Sequence, residues 1–316
     1  MIRSAVAALL LVAACAPAPE RAPAPSSPPV QAAPAVTPTP EAPAAVEAPP
    51  GTDVFLAPLA VGDGTISTGQ PANLTRRAGY DNQPAFTPDG TAILFTRIDA
   101  AGQADVYRYE IAAGTISRVT ATPESEYSPT PLPDGGFSAV RVEADSTQRL
   151  WRFAADGSDP GLVLADVKPV GYHAWVDPQT LALFVLGDPP TLQLADLRTC
   201  SVRTLASGIG RSLNRIPGRR AISFVRRDSD TASTIMELDV AGGAVRPLIA
   251  TVGGGDFHAW TPGGVLLMAD GPKIYAWTVG ATGWREIADL APLAGITRLA
   301  VSPDGSRIAL VAEDAP

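Results

Sequence analysis

The sequence predicts an all-β domain over residues 51–316: a six-bladed β-propeller of four-stranded blades. Three observations predict it: a recurring proline turn, apolar strands after each turn, and an incomplete last repeat that the N-terminal strands can complete. The turn recurs at spacings of 45, 45, 39, 45 and 41 residues. A period in the low forties with several short strands per unit is typical of β-propellers. The six turn prolines are Pro88, Pro133, Pro178, Pro217, Pro262 and Pro303.

The turn has a physical cause in its residue types. Proline fixes φ near roughly −65°, and the glycine after it permits a positive φ, so the chain reverses between two antiparallel strands. The full Pro-Asp-Gly form stands at Pro88, Pro133 and Pro303, and shorter forms stand at Pro217 and Pro262. At Pro178 the turn is shifted by one residue. The 32 prolines and 29 glycines also disfavour a helical bundle.

Each turn is followed by apolar or alternating runs of strand length. In the first unit these runs are residues 92–95, 105–111 and 115–119, which with the strand before the turn make four strands. The same order recurs along the chain. The later third strands are residues 150–153, 191–194, 235–238 and 274–277.

The last unit is incomplete. After its second strand at residues 308–311 only five residues remain, so its third and fourth strands are missing. Residues 53–56 resemble a third strand and residues 65–68 a fourth. We therefore expect these N-terminal strands to complete the C-terminal blade. This pairing closes the ring and removes the exposed edges that a linear array would leave.

The first 14 residues predict a signal peptide. Arg3 precedes the apolar run of residues 5–12, which is too short to cross a bilayer, since a crossing needs about 20 residues. Val12-Ala13-Ala14-Cys15 resembles the lipobox of bacterial lipoproteins, whose cysteine is lipidated and becomes the new N-terminus after cleavage. The alternative is an ordinary signal peptide with a chance cysteine. Ala16 after the cysteine favours the outer membrane, by resemblance to enterobacterial sorting.

Residues 15–50 predict a lipidated cysteine followed by a disordered tether. Twelve of the 35 residues after Cys15 are proline, and 11 of the other 23 are alanine. Such a segment cannot bury a core and prefers polyproline II. At about 3.1 Å per residue it reaches on the order of 100 Å. We expect it to hold the domain clear of the membrane, facing the periplasm.

The Pro-Asp-Gly turns after an apolar pair resemble the repeats of TolB-type propellers, and the resemblance covers residues 53–311. This repeat occurs in binding proteins, in the propeller domains of peptidases and in lyases, so the resemblance implies the fold and leaves the function open. TolB itself has an N-terminal α/β domain before its propeller, where we expect a lipid anchor and a tether in this chain. We therefore expect a TolB-like lipoprotein that is not TolB itself. An ordinary WD-repeat protein is a poorer match.

Two histidines are the first candidates for a site. His173 and His258 each begin a His-Ala-Trp motif ahead of the third and fifth turns. Because first strands of propellers line the central channel, both side chains could reach the axis. Two histidines are too few for a zinc site, so Asp256 or Glu126 would have to join them. The alternative is that the motif reflects repeat duplication, with the histidines capping strand ends.

Arginines complete the candidate set. Arg211 and Arg298 are further candidates for a ligand site in the channel. Arg211 also begins a local basic cluster that is either a surface for an acidic partner or a solvated face. The other members of this cluster are Arg215, Arg219, Arg220, Arg226 and Arg227.

The sequence favours a non-catalytic, membrane-anchored module that binds an envelope protein or peptide. It has no Gly-x-Ser-x-Gly, Walker A or His-Glu-x-x-His motif. Its net charge of −8 and pI near 4.8 argue against nucleic acid. We expect a monomer that touches the membrane through its lipid anchor alone and needs no cofactor. The alternative is a small-ligand-binding or metal-dependent lyase-type propeller, with a divalent metal at His173 and His258.

Overall fold

The structure is a computed structural model that describes residues 49–62 and 65–313. The predicted signal peptide, Cys15 and the tether as far as residue 48 lie outside the described residues. Within them, the regular secondary structure is strand throughout. Among the same residues, no helix is long and apolar enough to cross a membrane.

The strands are short and follow one another at regular intervals. Those of the first half of the chain are β1 (Thr52–Gly62), β2 (Thr65–Thr68), β3 (Ala72–Asn73), β4 (Asp81–Phe86), β5 (Ala92–Ile98), β6 (Ala104–Glu110), β7 (Thr115–Arg118), β8 (Ser125–Pro131), β9 (Phe137–Val142), β10 (Gln148–Phe153), β11 (Gly161–Leu162), β12 (Val170–Asp177) and β13 (Thr180–Val185). Those of the second half are β14 (Thr191–Asp196), β15 (Ser201–Ser207), β16 (Ile209–Arg215), β17 (Ala221–Arg227), β18 (Ser233–Asp239), β19 (Val245–Ala250), β20 (His258–Trp260), β21 (Val265–Asp270), β22 (Lys273–Thr278), β23 (Arg285–Asp289), β24 (Arg298–Val301) and β25 (Arg307–Glu313).

These strands form six antiparallel blades, which confirms the predicted six-bladed propeller. Blades 1 to 5 each take four consecutive strands, beginning at β4, β8, β12, β16 and β20. In each blade the first strand lies innermost and the fourth outermost. The predicted turns join first to second strands, and Gly90, Gly135 and Gly305 have positive φ values of 69°, 92° and 73°. The Pro178 unit differs because its connection has two residues, with Asp177 opposite Thr180.

Blade 6 closes the ring as the sequence predicts. Its strand order is β24-β25-β1-β2, so two strands come from each end of the described chain. The pairing of β1 with β25 runs from Thr52 opposite Glu313 to Pro58 opposite Arg307. The strand β1 is longer than predicted, and its outer edge is shared: β2 pairs with its second half, and β3 pairs with Phe55 and Leu56.

The hydrophobic core consists of layers between neighbouring blades. One layer joins Leu94 and Val106 of blade 1 to Phe137 and Phe153 of blade 2. Five further clusters fill the other junctions, including the one between blades 6 and 1. Each blade therefore buries both faces against its neighbours. Loss of one strand pair uncovers apolar surface on two junctions.

Candidate functional site

The innermost strands of all six blades converge on the ring axis and line one cavity of about 150 Å³. Its lining residues lie three to six residues before the turn proline of each repeat, in the first or middle part of the inner strand or just before it. The cavity therefore lies towards the end of the central channel that is opposite these turns, and we call this end the channel mouth. Arg211, Arg298, His173 and His258, four of the candidates, line the cavity, whereas Asp256 and Glu126 do not. The lining includes no aspartate or glutamate.

The inner strands are irregular where they meet the cavity. Four of them carry β-bulges at this level, in β4, β8, β12 and β16. Gln83 and Ser128 occupy equivalent bulge positions in β4 and β8, with positive φ values of 60° and 54°. The Gln83 Oε1 accepts hydrogen bonds from the Ser128 N–H at 2.7 Å and the Thr96 hydroxyl at 2.8 Å. Bulges and positive φ at non-glycine residues re-aim side chains and cluster at functional sites.

The Arg298 side chain crosses the channel. Its Nη2 donates a hydrogen bond to the Tyr172 hydroxyl at 3.0 Å, and these residues belong to blades 6 and 3, which face each other across a six-bladed ring. The guanidinium carbon lies 4.0 Å from the centroid of the Phe257 ring and 5.1 Å from that of Tyr172. Two aromatic rings therefore hold one cationic group in the channel mouth.

Arg211 brings a second positive charge to the same mouth. Neither it nor Arg298 has an Asp or Glu partner among the described residues. Tyr80, just before β4, lies close enough for both arginines to interact electrostatically with its phenol group. Burial nevertheless raises the pKa of Tyr80 to about 12, although Arg298 and Arg211 act to lower it. The phenol is therefore neutral near pH 7 and does not balance the arginines.

His258 connects two blades. Its Nε2 lies 2.7 Å from the Ser223 Oγ on β17 of blade 4, and the Trp260 Nε1–H donates to the same oxygen at 2.9 Å. One serine hydroxyl of blade 4 thus binds the histidine Nε2 and the tryptophan Nε1–H of the His-Ala-Trp motif of blade 5. Since all three side chains are buried, the contact holds the junction together.

His173 of blade 3 repeats this arrangement two junctions earlier, with a serine of blade 2. Its Nε2 lies 2.7 Å from the Ser138 Oγ on β9, and the Trp175 Nε1–H donates to that oxygen at 2.9 Å. Burial lowers the pKa of both histidines to about 3, so both are neutral near pH 7. We call these two contacts, His173–Ser138–Trp175 and His258–Ser223–Trp260, the blade latches.

The latches keep the histidines at separate blade junctions. The structure does not bring them together with Asp256 or Glu126. Residues 49–62 and 65–313 contain no group of three or more His, Cys, Asp or Glu side chains that could hold a metal ion. Each histidine contacts a serine of the preceding blade instead.

Glu126 is buried inside blade 2. Its Oε1 accepts hydrogen bonds from Arg141 Nε at 3.0 Å and the Thr122 hydroxyl at 2.6 Å. The Arg141 guanidinium packs 4.6 Å from the Trp151 ring centroid and 5.1 Å from that of Phe153. Burial raises the pKa of Glu126 above its ordinary value. This carboxylate therefore supports its own blade, away from the cavity.

Asp256 lies beside the mouth and is held by Arg227 of blade 4 at 2.8 Å. A Cβ at Gly210 would lie 2.5 Å from the Asp256 Oδ1, so glycine is needed there to leave room for the carboxylate. The predicted basic cluster is largely neutralised by such pairs, which makes most of it a solvated face. Its other pairs are Arg219–Glu237, Arg220–Asp177 and Arg226–Asp228.

No family model matches the sequence. Solved structures do match: one of a putative TolB from Agrobacterium tumefaciens superposes with a TM-score of 0.67 at 16% identity, covering 84% of this chain and 99% of that one. The fold is that of a TolB-type six-bladed propeller. TolB from Acinetobacter baumannii gives a TM-score of 0.53 at 15% identity, covering 84% of this chain and 64% of that one.

The same fold carries other functions. An oligogalacturonate lyase in complex with manganese superposes with a TM-score of 0.54 at 14% identity, covering 78% of this chain and 80% of that one. Identities this low show the shared TolB-type fold and do not transfer an activity. They also agree with a chain that is TolB-like without being TolB itself.

Two parts of this TolB-type channel were not predicted from the sequence. The first is the serine of each latch, Ser138 and Ser223, which each stand 35 residues before their histidine. The second is the aromatic residue before each histidine, Tyr172 and Phe257, which contact Arg298. Both signals are visible in the sequence as a constant spacing and as a longer aromatic-His-Ala-Trp motif.

The latches predict a stability effect. Replacing Ser223→Ala leaves the Trp260 Nε1–H and the His258 Nε2 buried without their partner. Each such group costs about 1–3 kcal/mol, so we expect a loss of about 3 kcal/mol in the free energy of unfolding, measured by urea denaturation. Ser207→Ala, at an exposed position on β15, is the matched control and should change it by less than about 0.5 kcal/mol. Equal effects of the two substitutions would contradict the latch.

Proposed function

We propose that this chain is a non-catalytic binding module that receives a protein or peptide at the mouth of its central channel. One observation carries the proposal: Arg298 is held across the mouth by Tyr172 and Phe257, with no acidic partner among the residues described. Arginine and aromatic side chains are the types that dominate binding hot spots. A pre-positioned guanidinium also loses little conformational freedom on binding.

The lyase-type alternative needs a metal, and the residues at the channel do not fit one. The Nε2 atoms of His173 and His258 are engaged by serine hydroxyls, and each Nδ1 is buried. The cavity lining offers no carboxylate. A catalytic zinc-type site takes three protein ligands on one ion. The donor set therefore supports the binding module, and we derive no metal-dependent step.

The proposal places the module in the cell envelope, on the strength of the sequence. The predicted signal peptide and Cys15 supply the lipid anchor, and the proline-rich segment supplies the tether. In blade 6, Thr52 pairs with Glu313, and Arg298 pairs with the neighbouring Val311. The chain thus joins the ring at the end that carries the channel mouth. A partner bound at the mouth would lie on the side of the ring from which the tether leaves.

Lipid anchoring has a direct test. Changing Cys15→Ser removes the acceptor thiol, so we expect the protein to move from the membrane fraction to the soluble fraction of the cell envelope. Cell fractionation followed by immunoblotting measures the shift. Cys200→Ser, which alters the other cysteine of the chain, should leave the protein with the membrane. Membrane retention of the Cys15 variant would contradict the anchor.

Site-specific photo-crosslinking in whole cells tests the binding function. A photoreactive amino acid at exposed Thr297, next to Arg298, is expected to give one discrete protein or peptide adduct. The matched position is Val279, which is 65% exposed and lies in the turn after β22, at the opposite end of blade 5 from the mouth. The absence of an adduct at Thr297, or the same adduct at both positions, would contradict the proposed function.

A further inference from the structure

We propose that the channel mouth is a carboxylate-binding site, in which Arg298 and Arg211 receive an acidic side chain or a C-terminal carboxylate of the bound peptide. This inference rests on the proposed function and specifies the chemistry of its ligand. It begins from a charge imbalance. Two guanidinium groups line one small cavity, while the chain as a whole carries a net charge of −8.

The imbalance is not corrected by neighbouring side chains. The lining contains no acidic residue, and Asp256, beside the mouth, is tied to Arg227 at 2.8 Å. Tyr80 and the two histidines are neutral near pH 7. Most other arginines of this acidic domain have a carboxylate partner, as the basic cluster shows. Arg211 is exposed, but Arg298 is partly buried, and a partly buried cation without a counter-charge is costly, so an anion from outside would be stabilised here.

The Arg298 geometry leaves donors available for that anion. Its one hydrogen bond to the described residues is the contact of Nη2 with Tyr172, so most of its five N–H groups remain available for a ligand. Contact of the guanidinium carbon with the Phe257 ring at 4.0 Å and with the Tyr172 ring at 5.1 Å restricts the orientation of the group. A planar fork of fixed orientation matches a carboxylate, which accepts two parallel hydrogen bonds.

The cavity wall favours an organic acid over a free inorganic anion. Beside the arginines and polar side chains such as Gln83, Ser212 and Asn214, the lining includes the apolar side chains of Pro84, Pro129, Leu213 and Leu299. These side chains cannot replace the hydration shell of phosphate, but they can contact the short hydrocarbon stem of a carboxylic acid. A cavity of about 150 Å³ accommodates one such group. The remainder of a peptide would lie outside on the mouth.

The test uses purified protein and short capped peptides, with calorimetric titration as the readout. The probes are acetyl-Ala-Glu-Ala-amide for a side-chain carboxylate, acetyl-Ala-Ala-Ala with a free C-terminus for a terminal one, and acetyl-Ala-Gln-Ala-amide as the uncharged control. We expect one or both carboxylate probes to bind and the amide control not to bind. The probe that binds identifies the source of the carboxylate. Inorganic phosphate binding as strongly as the peptides would overturn the proposal.

Variants tie the binding to the arginines. Arg298→Gln and Arg211→Gln should each weaken the bound probe about tenfold or more, and Arg298→Lys should give an intermediate loss because lysine lacks the fork. Arg285→Gln, at an exposed arginine on the outer strand β23, is the matched control and should leave affinity unchanged. Circular dichroism and melting temperature confirm that each variant is folded. If Arg298→Gln does not fold, Arg298→Lys and Arg211→Gln carry the test.

The outcomes separate this inference from the proposed function. If crosslinking at Thr297 still captures its partner in the Arg211→Gln/Arg298→Gln double variant, or if no probe binds, the carboxylate site is refuted while the binding module stands. If the probes bind as expected but no partner is captured at Thr297, the carboxylate site is supported and the proposed binding of a cellular partner is contradicted.

Discussion

Removal of β1 is expected to abolish folding. A variant that begins at Thr65 lacks the third strand of blade 6, which leaves β25 without seven paired residues and opens the ring between blades 6 and 1. The strand also buries Val54, Phe55 and Leu59. Each large side chain contributes about 1.5–3 kcal/mol, and the total stability of a domain is only about 5–15 kcal/mol. The free energy lost with these side chains is therefore comparable to the total free energy of unfolding.

The matched control is a variant that begins at Pro49, which keeps every described residue. We expect it to show a cooperative thermal transition at the temperature of the full chain, monitored by far-ultraviolet circular dichroism and calorimetry. The shorter variant should show no cooperative transition and should aggregate, since its unpaired β25 edge is exposed. A cooperative transition in the shorter variant would mean that the ring does not depend on this closure.

The ring could be predicted from the sequence because its determinants are local. Pro88-Asp89-Gly90 fixes a turn by its own backbone preferences, and the turn repeats with a period that the sequence displays. The closure of blade 6 followed by counting strands, since Ile308–Val311 lacked partners that residues 53–68 could supply. Even the departure at Pro178 was visible as a shifted turn, although the two-residue connection itself was not.

The channel chemistry was only half predictable. Arg298 and Arg211 were candidates, but the contact between Arg298 and Tyr172 joins residues 126 positions apart on opposite blades. Such a contact depends on ring diameter and on bulges in the inner strands, which leave no local signal. The histidines were found by their motif, but the buried serine on the preceding blade that each ring contacts was not. Repeat spacing between a serine and a histidine is the kind of signal that predicts such a contact.

The blade latches predict acid sensitivity. Burial lowers the pKa of His173 and His258 to about 3, whereas an unfolded histidine titrates near 6.5. Between these values the unfolded chain binds protons that the folded chain does not, so the free energy of unfolding falls as pH falls below about 6.5. At pH 5 each histidine accounts for about 2 kcal/mol, and the pair for about 4 kcal/mol. Above pH 7 neither histidine makes the free energy of unfolding depend on pH.

The double variant His173→Gln/His258→Gln isolates this effect, because the glutamine amide can reach the serine hydroxyl and does not titrate. Urea denaturation at pH 7.5, 6.5, 5.5 and 5 measures the slope in both proteins. Glu126 and Asp105 act in the opposite direction, since burial raises the pKa of each carboxyl and the folded state then takes up protons more readily. Both proteins retain these carboxyls, so the difference between the two slopes belongs to the histidines. We expect the double variant to be less stable at pH 7.5 and to lose less stability towards pH 5. Equal slopes of the free energy of unfolding against pH in the two proteins would show that the histidines take up protons in the folded ring. The hydrogen bonds of the blade latches would then not form in solution.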